Sequence, residues 1–324
     1  MGFVVILGFL LLGVVLQRVK RLPVSTALRL IQYVLYIAMP ALVLLHLPRL
    51  HIDAQIWVPI ITPWVMLIIS MLCVVVLCRK YNWSRPVMGA LLIVVPLGNT
   101  SFLGFPIVQS LYGDQGLAYA VLYDQFGSFI GLSVVATALA VIFGTHPSAQ
   151  TQDASALATE PTLADTPARP NAVTIIKKVL TFPPFLALLL ALGLLLTSTS
   201  LPDWLNAILA GIGMTLIPAV MLAVGLQLHF SVPKEDAGPF FASLILKLLV
   251  LPCLAIIVFW LSPLQGLAAK VSLLEVSMPP MITAGAVAMA AGLKPRLVSA
   301  IIGYGVICSA LTIPLWYSVI EWLL

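Results

Sequence analysis

Charged side chains are scarce in this 324-residue sequence, where Asp, Glu, Lys and Arg together make up 8% of the positions. An ordinary soluble domain is about 25% charged and about 45–50% apolar. Here apolar residues reach 61% and the mean hydropathy is +1.13. A water-soluble fold needs a polar outer shell, and this sequence has too few polar residues to build one. The composition therefore excludes a soluble domain and predicts an integral membrane protein.

Cysteine is also rare. The four cysteines are Cys73, Cys78, Cys253 and Cys308, and all lie inside apolar segments. No two of them have the spacing of a zinc site or a redox pair. No pair of histidines has metal-ligand spacing either. A phosphate-binding loop of the form GxxxxGK[ST] is absent. We therefore expect no metal, no bound cofactor and no ATP-driven pumping by this chain alone.

Long charge-poor stretches define the predicted architecture. A helix needs about 20 apolar residues to cross about 30 Å of hydrocarbon. Ten stretches qualify, at about 3–17, 27–47, 57–78, 86–110, 117–143, 174–197, 204–227, 239–262, 267–291 and 297–322. The sequence thus predicts an all-α integral membrane fold with ten transmembrane helices.

The distribution of Lys and Arg supports this count and sets the orientation. With the N-terminus outside, the outer flanks hold only Arg49 and Lys270, whereas Arg29 and Lys247 lie within spans near their inner ends. The inner loops hold Arg18, Lys20, Arg21, Arg79, Lys80, Arg85, Arg169, Lys177, Lys178, Lys234, Lys294 and Arg296. Such an excess marks the cytoplasmic side. We expect a multi-pass protein of the cell inner membrane with both termini outside and no nucleic-acid partner.

Residues 144–172 interrupt the apolar pattern. They are rich in Ala, Thr and Pro and lack apolar periodicity, as is typical of a flexible linker, here on the cytoplasmic side. The linker separates residues 1–143 from residues 173–324, with five predicted spans in each part. Because five is odd, the second part enters the membrane with the opposite orientation, so a structural repeat between the parts would be inverted.

Two predicted spans carry helix-breaking residues near their centres. Residues 94–106 read VVPLGNTSFLGFP and residues 275–285 read EVSMPPMITAG. Proline removes a helical hydrogen bond and glycine loosens the backbone. Bare backbone groups are tolerated at membrane depth only inside protein or beside a wet cavity. Paired breaks at matching positions of two halves predict a transport site, although breaks can also serve only to kink or pack helices.

The chemistry of these breaks suits an anion. Half-helix N-termini present free N–H groups and a partial positive charge, which favour a carboxylate. Beside the first break stand Asn99, Thr100 and Ser101; the second contains Pro279 and Pro280, with Thr283 after it. We predict that these residues form the substrate site.

Two acidic residues fall within predicted spans away from the span ends, and one has an amide neighbour. Asp124 is followed by Gln125, and Glu275 precedes the second break. An ionisable side chain at membrane depth is costly and indicates an ion pathway or proton relay. These residues are our candidates for binding a coupling proton or sodium ion; the alternative is hydration near the outer surface.

The run LGNTSFLGFPIVQSLYGDQGLAYAVLYD, which starts at Leu97, resembles the auxin efflux carrier family. The resemblance implies two inverted five-helix repeats, similar to bile-acid symporters and sodium/proton antiporters. It also implies that broken fourth and ninth helices cross and that one bundle moves against a scaffold. The crossover positions it implies are Gly98, Asn99, Thr100, Pro279 and Pro280. Substrates in the family are carboxylates, and its bacterial members include malonate and malate permeases. The short linker departs from the long regulated loop of plant carriers and favours a prokaryotic member.

We therefore expect a non-enzymatic secondary transporter of a small organic anion, a mono- or dicarboxylate, that works by alternating access. A channel-like or uniport anion permease remains an alternative. An intramembrane protease is another, because LYD at 122–124 matches half of an aspartyl protease signature, but its GxGD partner is missing. The expected partners are the anion, membrane lipid and, as a hypothesis, a second copy in a homodimer.

Overall fold

The computed structural model describes residues 2–19, 25–50, 54–144, 180–197, 199–227, 234–262 and 264–324. Within these ranges all regular structure is helical, apart from one isolated β-bridge. The predicted linker, from residue 145 onward, lies outside the described residues. So do several of the basic residues used to orient the chain, namely Lys20, Arg21, Arg169, Lys177 and Lys178.

The described ranges contain fifteen α-helices, most of them apolar throughout. In chain order they are α1 (Gly2–Arg18), α2 (Ser25–Tyr33), α3 (Met39–His46), α4 (Trp57–Lys80), α5 (Arg85–Val94), α6 (Phe105–Tyr123), α7 (Thr137–Phe143), α8 (Pro183–Leu196), α9 (Asp203–Met214), α10 (Leu216–Gln227), α11 (Ala237–Ile245), α12 (Leu251–Trp260), α13 (Leu267–Val276), α14 (Ile282–Ala290) and α15 (Pro295–Leu323). Wider π-helical turns join several of them, at Val34–Ala38, Thr100–Gly104, Asp124–Ser128, Gly131–Ala136 and Leu246–Val250.

Six helical stretches in the described ranges are long and apolar enough to cross a membrane. They are Ser25–Arg49, Ala54–Lys80, Thr100–Phe143, Asp203–Gln227, Ala237–Trp260 and Pro295–Leu323. Their leucines, isoleucines and valines are widely exposed on the outside of the bundle. A lipid solvent explains this exposure, because such a surface in water would be an aggregation liability. The protein is thus built as a multi-pass membrane protein.

The helix count differs from the ten predicted spans for local reasons. The predicted span 86–110 is interrupted after α5, and the predicted span 267–291 is interrupted between α13 and α14, so their pieces are shorter than a bilayer. Conversely, the helical stretch Thr100–Phe143 has 44 residues, about twice the length that one span needs. Its backbone leaves the helical conformation at Gly113, whose φ of 67° only glycine adopts readily, so a kink at this residue joins two helices.

The helices pack as two bundles. The first bundle contains α1, α2, α3, α8, α9 and α10, which contact mainly one another. The second bundle contains α4 to α7 and α11 to α15, with α13 against α4 and α6, and α14 against α5. The bundles meet where α1 and α3 approach α6. The two interrupted segments both belong to the second bundle.

Within the first bundle, α1 and α10 cross at two glycines. A Cβ on Gly13 would lie 2.6 Å from the Leu222 carbonyl oxygen and 2.9 Å from the Cα of Gly225. A Cβ on Gly225 would overlap the Leu10 carbonyl oxygen. Small residues at such crossings let helix backbones approach closely in membranes. Backbone faces backbone here, so no side chain can move aside to make room.

We predict that Gly225→Ala lowers the free energy of unfolding by about 1–3 kcal/mol, the usual cost of overpacking. The measurement is the thermal unfolding midpoint of the purified protein in detergent. Gly8→Ala on α1 is the matched control, because a Cβ there meets nothing within 4 Å. Equal midpoints for the two variants would contradict the close approach of α1 and α10.

Candidate functional site

The two interrupted segments pair with each other inside the second bundle. The backbone N–H of Asn99 donates to the Pro279 carbonyl at 2.7 Å, and the N–H of Met281 donates to the Leu97 carbonyl at 2.9 Å. Gly98 and Pro280 stand opposite each other in this short antiparallel bridge. Backbone groups that the broken helices leave free are thus satisfied by the facing segment, as burial in a membrane requires.

The residue types at this crossing fit its geometry. Proline has no N–H, so Pro280 can occupy the pair position whose N–H is not needed for the bridge. Facing residues at such a position approach closely, and Gly98 opposite has no side chain. A Cβ on Gly98 would lie 3.5 Å from the Met278 Cβ and 3.4 Å from the Glu275 carbonyl oxygen. The prolines also explain why α13 ends at Val276.

A small cavity lies beside the crossing, at the junction of the two bundles. Its volume is about 30 Å³, the share of roughly one water molecule in the liquid. The second bundle contributes its polar lining, namely Asn99, Ser101, Asp124, Gln125 and Thr283. The first bundle and the start of α8 contribute apolar lining, which includes Leu35, Met39 and Phe182. One wall of the cavity therefore carries hydrogen-bonding groups, and the other wall is apolar.

Two buried polar atoms on this lining have no hydrogen-bond partner. They are Nδ2 of Asn99, a residue with 1% of its surface exposed, and Oε1 of Gln125. The side-chain oxygen of Asn99 accepts from the N–H of Phe102 at 3.3 Å, which fixes the amide. Buried polar atoms are normally paired, because an unpaired one costs about 1–3 kcal/mol. An unpaired donor and an unpaired acceptor at one cavity indicate a place prepared for a ligand.

The end of α14 that follows the crossing strengthens this interpretation. The first N–H groups of a helix have no partner within the helix and carry partial positive charge. Helix α14 begins at Ile282, directly after the crossing, and Thr283 on its first turn lines the cavity. The cavity thus joins a side-chain amide donor to the positive end of a half-helix.

Asp124 also lines the cavity, and its carboxylate is fully engaged. Its Oδ1 accepts from the hydroxyl of Thr100 at 2.6 Å and from the hydroxyl of Ser101. Its Oδ2 accepts from Nε2 of Gln125 at 2.8 Å. These three donors tie the segment after the first break to the end of α6. Asp124 thereby holds the polar wall of the cavity in place.

Two π-helical turns in the second bundle are each sealed by a tryptophan. The indole N–H of Trp64 donates to the Phe126 carbonyl at 3.0 Å, in the turn that begins with Asp124. The indole N–H of Trp316 donates to the Leu248 carbonyl at 2.7 Å, in the turn that contains Lys247. A π turn leaves backbone groups imperfectly paired and is frequent at functional sites. The tryptophans satisfy these carbonyls without water.

Glu275 lies against the first interrupted segment and is not part of the cavity lining. Its surface is 0% exposed and neither carboxylate oxygen has a hydrogen-bond partner. The carboxylate lies directly against Gly104, where a Cβ would come within 2.6 Å of Oε1. Glycine at position 104 therefore makes room for this acid. The side chain is therefore enclosed by protein atoms and is not exposed at a surface of the described structure.

Lys247 is a residue at the crossing that the sequence analysis did not include among the site candidates. The sequence placed it within its span, near the inner end. Its surface is 2% exposed, and its ammonium lies 3.3 Å from the point that a Cβ on Gly98 would occupy. It interacts electrostatically with Glu275. The only sequence signal was a lysine inside the apolar run SLILKLLVLP.

The structure therefore divides the predicted site residues into three groups. Five line the cavity, namely Asn99, Ser101, Asp124, Gln125 and Thr283. Three form the crossing, namely Gly98, Pro279 and Pro280, and two lie next to it without lining the cavity, namely Thr100 and Glu275. In the described ranges, no group of three or more His, Cys, Asp or Glu side chains is arranged to hold a metal ion.

Comparisons with known proteins indicate the family of this chain. The model of a family described as "Membrane transport protein" matches residues 2–317. The chain is 26% identical over 324 residues to an uncharacterized transporter of Methanothermobacter thermautotrophicus, and the match covers 97% of this chain and 96% of that protein. It is 25% identical over 290 residues to an uncharacterized transporter of Methanocaldococcus jannaschii, covering 87% of this chain and 86% of that protein.

Proposed function

This chain belongs to the membrane transport protein family, the auxin efflux carrier family that its motifs resembled, and on that premise we propose that it is a secondary carrier of a small organic anion. A membrane transporter family points to a non-enzyme. We propose a mono- or dicarboxylate such as malonate or malate as the substrate. The observation that carries this proposal is the unpaired Asn99 Nδ2, buried beside the N-terminus of α14 at the crossing.

The size of the cavity supports alternating access. A space of about 30 Å³ is too small for malonate, whereas sites for drug-sized ligands have about 300 Å³ or more. The polar wall belongs to the second bundle and the apolar wall to the first, so separation of the bundles would enlarge the site from one side at a time. We propose that the second bundle carries the anion past the first, in the manner of transporters that rock one bundle against another.

An inverted relation between residues 1–143 and 173–324 is part of the proposal. Each half holds one interrupted segment at the crossing. In the first half, Trp64 of the third predicted span donates a hydrogen bond to the π turn of the fifth span. In the second half, Trp316 of the fifth predicted span of that half donates a hydrogen bond to the π turn of its third span. The same two spans are paired in both halves. We further propose ten spans, an inner-membrane location, both termini outside and, as the loosest element, a homodimer.

Positive charge is the remaining requirement of an anion site here. The carboxylate of Asp124 already lines the cavity, and the carboxylate of Glu275 lies nearby against Gly104. Burying like charges together is costly, so a further carboxylate needs compensation. Asn99 and the N-terminus of α14 supply part of it. We propose that a coupling proton or sodium ion, bound at Asp124, Gln125 or Glu275, supplies the rest.

Uptake by proteoliposomes tests the proposed function. We expect saturable uptake of labelled malonate or malate. Uptake should be faster when the same acid is loaded inside, because the binding site of a carrier must face outward again before the next uptake and internal substrate speeds this step. A thermal-shift screen of mono- and dicarboxylates would identify the acid to label. Flux that never saturates and ignores internal substrate would favour the channel-like alternative and contradict alternating access.

A further inference from the structure

We propose that Glu275 and Lys247 form a buried proton-exchange pair in which Glu275 takes up the coupling proton and Lys247 is its countercharge. This inference rests on the proposed transport function and names the group that couples it to protons. Both side chains lie against the first interrupted segment and are not part of the cavity lining. Both are at least 98% buried, and they interact electrostatically without forming an ion pair within 4 Å in the described structure.

Hydrogen bonding separates the two buried acids. Asp124 accepts from three side-chain donors, so its carboxylate is stabilised where it stands. Glu275 accepts from none, and both of its oxygens are buried. An ionised carboxylate without partners in a membrane protein is costly. Glu275 therefore has the properties of a residue that is protonated in one state of the transport cycle and paired with a cation in the next state.

Among the residues that the structure describes, Lys247 is the cation that acts on Glu275. The groups within electrostatic range of its carboxylate are Asp124, Lys247 and Tyr123. At the other end of α13, Lys270 pairs with Glu321 on α15 at 2.9 Å. Glu275 stands in the last turn of α13, whose negative dipole end disfavours a second negative charge. A proton or the ammonium of Lys247 removes this conflict.

A proton fits this place better than a sodium ion. Hard cations of this kind need several oxygen ligands. In the described ranges no group of three or more His, Cys, Asp or Glu side chains could hold a metal ion, and neither oxygen of Glu275 has a hydrogen-bonding side chain beside it. The buried ammonium of Lys247 also repels a second cation. A proton needs only one lone pair of Glu275 and no coordination shell.

The pair contacts both halves of the crossing. The Glu275 carboxylate lies against Gly104, in the turn that follows Asn99 and Ser101, and the Lys247 ammonium lies beside Gly98. On release, the O–H bond of Glu275 breaks, the electron pair stays on the carboxylate and the proton passes to water. The new carboxylate then draws Lys247 toward it. Such a shift moves the backbone on both sides of Asn99 and so links proton release to the anion site.

Replacing Glu275 with glutamine tests this proposal. We compare accumulation of labelled malonate driven by an inward proton gradient with malonate–malonate exchange at equal pH in the same proteoliposomes. For Glu275→Gln the ratio of accumulation to exchange is expected to fall at least tenfold, because the amide cannot release a proton. Glu235→Gln, which changes an exposed acid in the turn just before α11, is the matched control and should retain the wild-type ratio.

The double variant Glu275→Gln/Lys247→Met guards against a folding failure of the single variant. It removes both charges together, which is tolerated better than leaving one of them buried alone. We expect its exchange to be independent of pH. A wild-type accumulation ratio in Glu275→Gln, or wild-type pH dependence in the double variant, would overturn the proposal.

Infrared spectroscopy of the purified protein decides the same question without substrate. A buried protonated carboxyl gives a C=O stretching band that disappears as it titrates. The band is expected at equal intensity in the wild type and in Glu235→Gln and should lose the contribution of Glu275 in Glu275→Gln; a band of wild-type intensity in Glu275→Gln would refute the assignment. Absence of malonate and malate exchange in the wild type would count against the proposed function alone, since this band does not depend on transport.

Discussion

Asn99→Asp is expected to lower malonate uptake by about a hundredfold. The change removes the unpaired donor Nδ2 and places a new carboxylate at the cavity, beside Asp124. Losing a hydrogen bond to a charged group costs about 1.5–3 kcal/mol, and each 1.4 kcal/mol is a factor of about ten. The repulsion between like charges adds to this loss. The measurement is the initial rate of uptake by proteoliposomes.

The fold should survive this substitution. Aspartate can still accept from the N–H of Phe102, as the oxygen of Asn99 does at 3.3 Å. Asn82→Asp is the control for the same chemical change, since Asn82 is exposed in the turn between α4 and α5, with a φ of 51° that Asp tolerates. Uptake by Asn99→Asp within threefold of that of Asn82→Asp would show that Asn99 does not contact the anion.

Asp124→Ala is expected to reduce uptake by a similar factor and to lower stability as well. The change strips the acceptor from Thr100, Ser101 and Gln125 at once. Each buried donor left without a partner costs about 1–3 kcal/mol. The polar wall of the cavity should therefore loosen, and the thermal unfolding midpoint in detergent should fall together with the uptake rate.

Two further variants serve as the control and the comparison for Asp124→Ala. Asp203→Ala removes an exposed carboxylate on the first turn of α9 and should leave both uptake and the midpoint near wild type. Asp124→Asn keeps one acceptor oxygen, so a partial loss of uptake is expected, with the wild-type ratio of gradient-driven accumulation to exchange. A large fall of that ratio in Asp124→Asn would indicate that the coupling proton binds at Asp124 and not at Glu275.

The two breaks could be predicted from the sequence because their chemistry is local. Pro279 and Pro280 cannot continue a helix, and the run from Pro96 to Gly104 combines proline, glycine and hydroxyl residues in an apolar span. That the breaks pair through Asn99 and Met281 depends on how distant segments pack. Sequence patterns carry no such information for single residues.

The roles of the charged residues were harder to predict, since depth and partners are tertiary properties. Glu275 lies only five residues after Lys270, which suggested hydration, yet the packing of α13 against α4 and α6 buries it completely. Lys247 lies nearer to the inner loop in sequence, but the π turn Leu246–Val250 and the core around it direct its ammonium to Gly98. Span counting identified the class of protein and could not identify this pair.

The central claim is that an anion binds at the crossing and reaches it alternately from the two sides of the membrane. Thr283→Cys, made in a variant whose four native cysteines are replaced by alanine, places one thiol on the cavity lining. The most direct measurement is the rate of its modification by a membrane-impermeant reagent added to either face, with and without malonate. The account predicts modification from both faces, slowed by malonate on each. Modification from one face alone, or rates that malonate leaves unchanged on both faces, would contradict it.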